Sequence, residues 1–179
     1  MIIDLAATPK IRHEPYLEYE FQANLDADTK VLFNDPTLSY SHLVALEIND
    51  KLLRFQLVGA QPTVTIPGDD FLVYQSVMPY VDLAYELYVG RLKEILIIND
   101  ARAQHVFAFM LETNGVTADP QLDNSIVYRD TSGNIVWTIN APYATDANGS
   151  TVPVTMQFDG TQYTVKALPV ETTVYPIKL

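Results

Sequence analysis

Three histidines, 22 acidic residues and no cysteine make up the reactive inventory of this 179-residue sequence. A zinc centre needs three or four ligands brought together from few elements, yet His13, His42 and His105 are scattered, with no second histidine or carboxylate at ligand spacing. The lack of cysteine removes disulfides, thiolate metal sites and cysteine nucleophiles. No Gly-x-Ser-x-Gly elbow, phosphate loop or dinucleotide fingerprint occurs, so nucleophilic hydrolysis has no motif to support it. Paired carboxylates are the remaining device. Glu18, Glu20, Asp69, Asp70 or Glu86 could supply two groups about 5–9 Å apart, as glycoside cleavage requires. Any acidic β protein offers such pairs by accident. The expectation is no catalytic residue, no cofactor and no metal.

Two softer candidates are weighed the same way. Asp146-Ala147-Asn148-Gly149-Ser150 opens like a calcium loop, which makes Asp146 and Asn148 weak calcium candidates, but the later acidic ligand is missing. A turn whose Asp and Asn bond their own backbone is the better reading, there and at Asp130-Thr131-Ser132-Gly133-Asn134. The 11 tyrosines and Trp137 could line a sugar-binding face, so a glycan is one conceivable ligand. They equally fill half-buried strands or a subunit interface, which is the reading preferred here.

The elements that would carry these residues are strands. Tyr16–Ala23 alternates Leu17, Tyr19, Phe21 and Ala23 against Glu18, Glu20 and Gln22, the pattern of a strand with one wet face. Leu43–Ile48 and Leu52–Val58 flank Asn49-Asp50-Lys51 as a hairpin. Further strands are expected near 30–33, 71–74, 106–111, 126–129, 135–139, 152–158, 163–168 and 174–178, with Val106–Leu111 apolar on both sides and placed at the centre of a sandwich. About 12 or 13 short strands at roughly 8–12-residue spacing predict an all-β antiparallel β-sandwich, as one compact body or two closely packed β units. Residues 1–15 read as an extended arm ahead of a 16–179 sandwich, with a subdivision near 99–104. Val81–Ile98 is ambiguous by itself: period two gives strand, Gly90-Arg91 turn and buried strand, while helical spacing also yields a stripe.

Eleven Lys and Arg against 22 Asp and Glu leave a formal charge of −11 and a pI near 4.5. Such a surface repels phosphate backbones, which argues against nucleic acid as a partner. No basic region precedes a long apolar segment, and nowhere do about 18 apolar residues run together, so neither a secretion signal nor a membrane partner is expected.

Several segments taken in order resemble a known pattern: Val81-Asp82-Leu83-Ala84-Tyr85, Gly90-Arg91-Leu92-Lys93-Glu94, Phe107-Ala108-Phe109, Ala141-Pro142-Tyr143, Asp146-Ala147-Asn148-Gly149 and Thr173-Val174-Tyr175-Pro176-Ile177. The pattern is similar to the β module of Rhs/YD-repeat and wall-associated bacterial surface proteins and of phage structural or tail-fibre-like proteins. It runs from Phe71 to Leu179. Family members usually continue past the Tyr-Pro-Ile element into an Asp-Pro and further domains, whereas this sequence stops at Leu179. The resemblance implies β scaffolding with no catalytic residue to carry over, resolves Val81–Ile98 toward strands, and marks Asp82, Tyr85, Gly90, Leu92, Lys93, Glu94, Pro142, Tyr143, Asn148, Gly149, Tyr175 and Pro176 as structural positions. The functional expectation that follows is a non-enzymatic structural protein of a phage virion, as head decoration or tail-fibre accessory, forming a homo-oligomer and contacting other virion proteins. The alternative is a carbohydrate-binding or adhesive module of an extracellular bacterial surface protein.

Overall fold

A computed structural model of the chain describes the backbone of residues 2–3, 11–13, 16–23, 27–34, 44–61, 63–68, 71–88 and 91–179, with side chains for Val31, Phe33 and, from residue 44 on, all of these but Pro67. The β-branched and aromatic runs form strands in chain order: β1 (Ile2–Ile3), β2 (Ile11–His13), β3 (Tyr16–Ala23), β4 (Ala27–Asn34), β5 (Val44–Ile48), β6 (Lys51–Leu57), β7 (Thr65–Pro67), β8 (Phe71–Met78), β9 (Val81–Tyr88) and β10 (Arg91–Ile98). The second half adds β11 (Val106–Asn114), β12 (Thr117–Pro120), β13 (Ile126–Arg129), β14 (Ile135–Ile139), β15 (Ala144–Thr145), β16 (Thr151–Val152), β17 (Val154–Phe158), β18 (Gln162–Ala167) and β19 (Ile177–Lys178).

Every recorded pairing is antiparallel. One eight-stranded sheet has the order β16-β15-β19-β10-β9-β8-β7, with β1 also on β10; a second runs β17-β18-β11-β6-β5-β4-β3-β2; and β12-β13-β14 form a third, smaller sheet. The first two sheets face each other through aromatics: Phe33 of β4 sits 5.2 Å, centroid to centroid, from Tyr85 of β9, and Tyr74 of β8 sits 6.1 Å from it. Val31, Leu46, Leu53, Leu83, Leu92 and Ile98 fill the same layer at 0% exposure, where each apolar side chain removed from water contributes about 1.5–3 kcal/mol. The all-β sandwich expectation is met.

Val81–Ile98 is a hairpin, with Arg91 opposite Tyr88 and Ile98 opposite Val81, and Leu92, Glu94, Ile95, Leu96 and Ile98 are buried. Gly90, expected in its turn, lies outside the described residues. One local expectation is corrected. β11 is central in its sheet, but Val106 is 48% and Met110 38% exposed, because its second face carries no covering layer among the described residues. The stretch read as an N-terminal arm contains β1, whose Ile2 and Ile3 lie opposite Lys93 and Leu92, and β2, which pairs with β3.

Candidate functional site

The residues singled out from the sequence gather into three hydrogen-bonded knots. The first is built on β9. Asp82 Oδ1 accepts the Ser76 N–H at 2.6 Å and Oδ2 accepts the Asn99 side-chain amide at 2.8 Å, while the Asn99 N–H donates to the Tyr80 carbonyl at 2.8 Å. These bonds clamp a bulge in β8, where the register shifts between Tyr74 and Met78 and Ser76 takes φ +51°. Tyr80, in the β8–β9 turn, has φ +63°, a conformation that costs a bulky residue about 1–3 kcal/mol and persists only when its surroundings hold it.

The loop after β10 packs on that turn. Arg102 Nε and Nη2 each donate to the Asp100 carboxylate at 2.8 Å, and the guanidinium lies 4.3 Å from the Tyr80 ring centroid. Arg102 holds the Asp100 carboxyl well below the usual carboxylate range, and Asp100 in turn raises the guanidinium. The loop ends at His105, whose Nε2 is 2.9 Å from the Tyr175 hydroxyl, with the rings edge-on at 6.0 Å. Burial lowers the His105 pKa, so its imidazole is neutral at pH 7; burial and then Asp100 raise that of Tyr175.

The second knot lies inside the sandwich. The buried Tyr85 hydroxyl donates to Glu94 Oε2 at 2.8 Å across the hairpin, where the two residues are directly opposite. Burial raises the pKa of both groups. Beside them, a pocket of about 70 Å³ is lined by Lys93, Glu94, Ile95, Tyr143, Thr145, Lys178 and Leu179, at the point of β10 between its pairings with β1 and β19. Lys93 also reaches Glu86 at 3.4 Å, and Leu92 is wholly buried.

The third knot encloses the weak calcium candidates. Asp146 is 8% exposed; its Oδ1 accepts the N–H of Asn148 and of Ser150, both at 2.9 Å, and its Oδ2 accepts the Val174 N–H at 3.2 Å. Gly149 supplies φ +78° in that turn. All three bonds come from main-chain N–H groups, the pattern of an Asp that anchors a turn. Through Val174 the knot holds the segment leading to Tyr175 and to Pro176, which follows a cis peptide bond. Pro142 is half-buried and Tyr143 54% exposed beside the pocket.

Chemically, a neutral imidazole on a tyrosine hydroxyl can exchange a proton. Arg102 is already neutralised by Asp100, so this cluster offers a phosphate no unshielded guanidinium. Among the described residues no group of three or more His, Cys, Asp or Glu could hold a metal ion. Of the carboxylates considered for glycoside chemistry, Glu86 is engaged by Tyr88 and Lys93; Glu18, Glu20, Asp69 and Asp70 fall outside the described side chains. The tyrosines divide: Tyr74, Tyr85, Tyr128 and Tyr163 are buried, while Tyr80, Tyr88 and Tyr143 are exposed. The His105–Tyr175 pair had no signal in the sequence, because the two residues stand 70 positions apart.

No known family matches the chain, and no solved structure matches it. Three curated proteins do. It is 32% identical over 147 residues to the tRNA nuclease WapA of Bacillus subtilis strain 168, 26% to the tRNA(Glu)-specific nuclease WapA of Bacillus subtilis subsp. natto, and 25% to the tRNA3(Ser)-specific nuclease WapA of Bacillus spizizenii. Each match covers 74% of this chain but only 6% of the relative. These names overturn the expectation of a non-enzymatic phage virion protein, whether head decoration or tail fibre: the chain is similar to part of proteins named as tRNA-cleaving enzymes.

Proposed function

We propose that this chain works as part of a tRNA nuclease, as a β body within a much longer enzyme. The carrying observation is the 147-residue similarity to three proteins named as tRNA nucleases, of each of which the chain spans about 6%. The resemblance of the Val81–Glu94, Asp146–Gly149 and Thr173–Ile177 segments to the β module of Rhs/YD-repeat and wall-associated bacterial proteins belongs to the same proposal. Those segments supply the knots that tie β8, β9, β10 and the last strand together, which is what a rigid body in a long chain requires.

The net charge supports a reading in which the tRNA-gripping surface lies elsewhere. A body with 22 acidic and 11 basic residues repels a polyanion, and its well-placed Arg102 is paired with Asp100. The contribution proposed here is therefore to hold and space the regions that bind and cleave tRNA. The test is to express the product of the complete natural reading frame and incubate it with total tRNA, with and without divalent metal. Cleavage to discrete fragments is expected. A product that leaves every tRNA intact under both conditions overturns the proposal.

A further inference from the structure

Sheet edges are places where another chain can add a strand, and proteins guard them with short strands, proline or charge. Most outer strands here are guarded. β7 is three residues long and ends in Pro67; β2 is three residues and includes Arg12 and His13; β16 is two residues and abuts Pro153; β12 contains Asp119 and Pro120. β14 is longer and uncharged, but it packs against β1. β17, at the outer edge of the second large sheet, is less protected: Pro153 and Asp159 flank it, but Val154-Thr155-Met156-Gln157-Phe158 itself contains neither charge nor proline.

The direction of its main-chain groups follows from the bonds at its ends. The Leu168 N–H donates to the Pro153 carbonyl and the Asp159 N–H to the Gln162 carbonyl, so 153, 155, 157 and 159 point toward β18. Val154, Met156 and Phe158 therefore turn their N–H and C=O groups outward, and among the described residues these have no partner. Their side chains are half-buried, packed on the core but incompletely covered, while Thr155 and Gln157 are exposed on the opposite face.

We propose that β17 is a homotypic docking edge, at which a second copy of this chain adds its own β17 antiparallel about a two-fold axis through Met156. In that register Val154 faces Phe158 of the second copy and Met156 faces its counterpart, so all six outward-pointing residues fall on hydrogen-bonding positions. The half-buried Val154, Met156 and Phe158 row continues into the same row of the mate, completing its cover. On the other face Thr155 stands opposite Gln157 of the second copy, an uncharged contact. Charge selects the same edge: residues 147–158 carry no ionisable side chain, so two bodies of formal charge −11 can meet there without opposing carboxylates. The remaining long-range repulsion is screened by salt.

The experiment uses the 179-residue chain in sedimentation equilibrium from about 1 to about 100 μM at low and high salt. A concentration-dependent dimer that tightens with salt is expected. Thr155→Lys together with Gln157→Lys places lysines opposite lysines, and it should yield monomer although it lowers the net negative charge. Thr155→Lys together with Gln157→Glu restores complementarity across the same register and should restore the dimer. Both substituted positions are exposed, and an unchanged circular dichroism spectrum verifies the fold. A wild-type chain that stays monomeric throughout, or a double-lysine variant that still dimerises, overturns the proposal.

Discussion

Glu94 and Asp146 are the two buried carboxylic residues among those described, at 5% and 8% exposure, and their surroundings drive them in opposite directions. Glu94 lies between apolar layers with the Tyr85 hydroxyl as donor, and burial outweighs both the charge of the N-terminal amine and that hydrogen bond, raising its pKa. Asp146 loses solvent too, but the N–H groups of Ser150, Val174 and Asn148 together outweigh that loss and lower its pKa. Burial alone thus does not decide which way a carboxyl's pKa moves; main-chain N–H donors can reverse it. Burial moves one carboxyl's pKa up inside the sandwich, and main-chain donors move the other's down at its end.

Removing each carboxyl should have the largest effects. Asp146→Ala strands three main-chain donors and releases the segment before Tyr175, so the melting temperature should fall by about 10 °C, measured by calorimetry. Glu94→Ala leaves a cavity and an orphaned Tyr85 hydroxyl and should cost about 2–4 kcal/mol in urea unfolding. Glu94→Gln keeps an acceptor for Tyr85 and removes the ionisation; it should equal the wild type at acid pH and exceed it at pH 7.

The pH dependence sharpens the same contrast. Glu94 has a raised folded-state pKa, so its contribution is fully present below the unfolded value of 4.5 and is lost as pH rises through the folded value. Asp146 has a lowered one, so its contribution is present above the unfolded value of 3.8 and is lost as pH falls through the folded value. Stability measured from pH 2 to pH 8 should lose its high-pH slope in Glu94→Gln and part of its acid slope in Asp146→Asn. If the two variants change the same limb, the assignment of opposite roles is wrong.

Smaller effects test whether the Asp146 turn is special by local chemistry or by location. Asp130 makes the same local bonds, its Oδ1 accepting from Ser132 and Asn134, but among the described residues its hydrogen bonds reach no distant strand, and only the charge of Lys51 on β6 acts on it from afar. Asp130→Ala should lower the melting temperature by only about 2–4 °C. Gly133 and Gly149 have φ of +83° and +78° with open space around each, so Gly→Ala should cost both turns a similar amount, about 1 kcal/mol. Equal glycine effects with unequal aspartate effects would locate the difference in the bond to Val174.

Much of this could be read without a fold. The strand at Tyr16–Ala23, the hairpin around Asn49-Asp50 and the turns at Asp130 and Asp146 depend on neighbours in sequence, and each lies where its local pattern puts it. Function was less legible. The resemblance implies scaffolding, and the expectation of a phage particle is overturned by similarity to enzymes named as tRNA nucleases. No motif in the sequence points to a nuclease: Asp82, Glu94 and Asp146 serve as ties, and among the described residues they form no reactive constellation.

What the sequence determined by itself is the strand class, the turn chemistry and the acidic, cysteine-free surface, since each follows from residue type and spacing within a few positions. Only the tertiary structure decided that Glu94 is buried against Tyr85, that His105 meets Tyr175, that Asp146 reaches Val174, and that β17 remains an unguarded edge. These depend on which strands become neighbours. That choice is made by fitting apolar faces together over the whole chain, and no local window contains it.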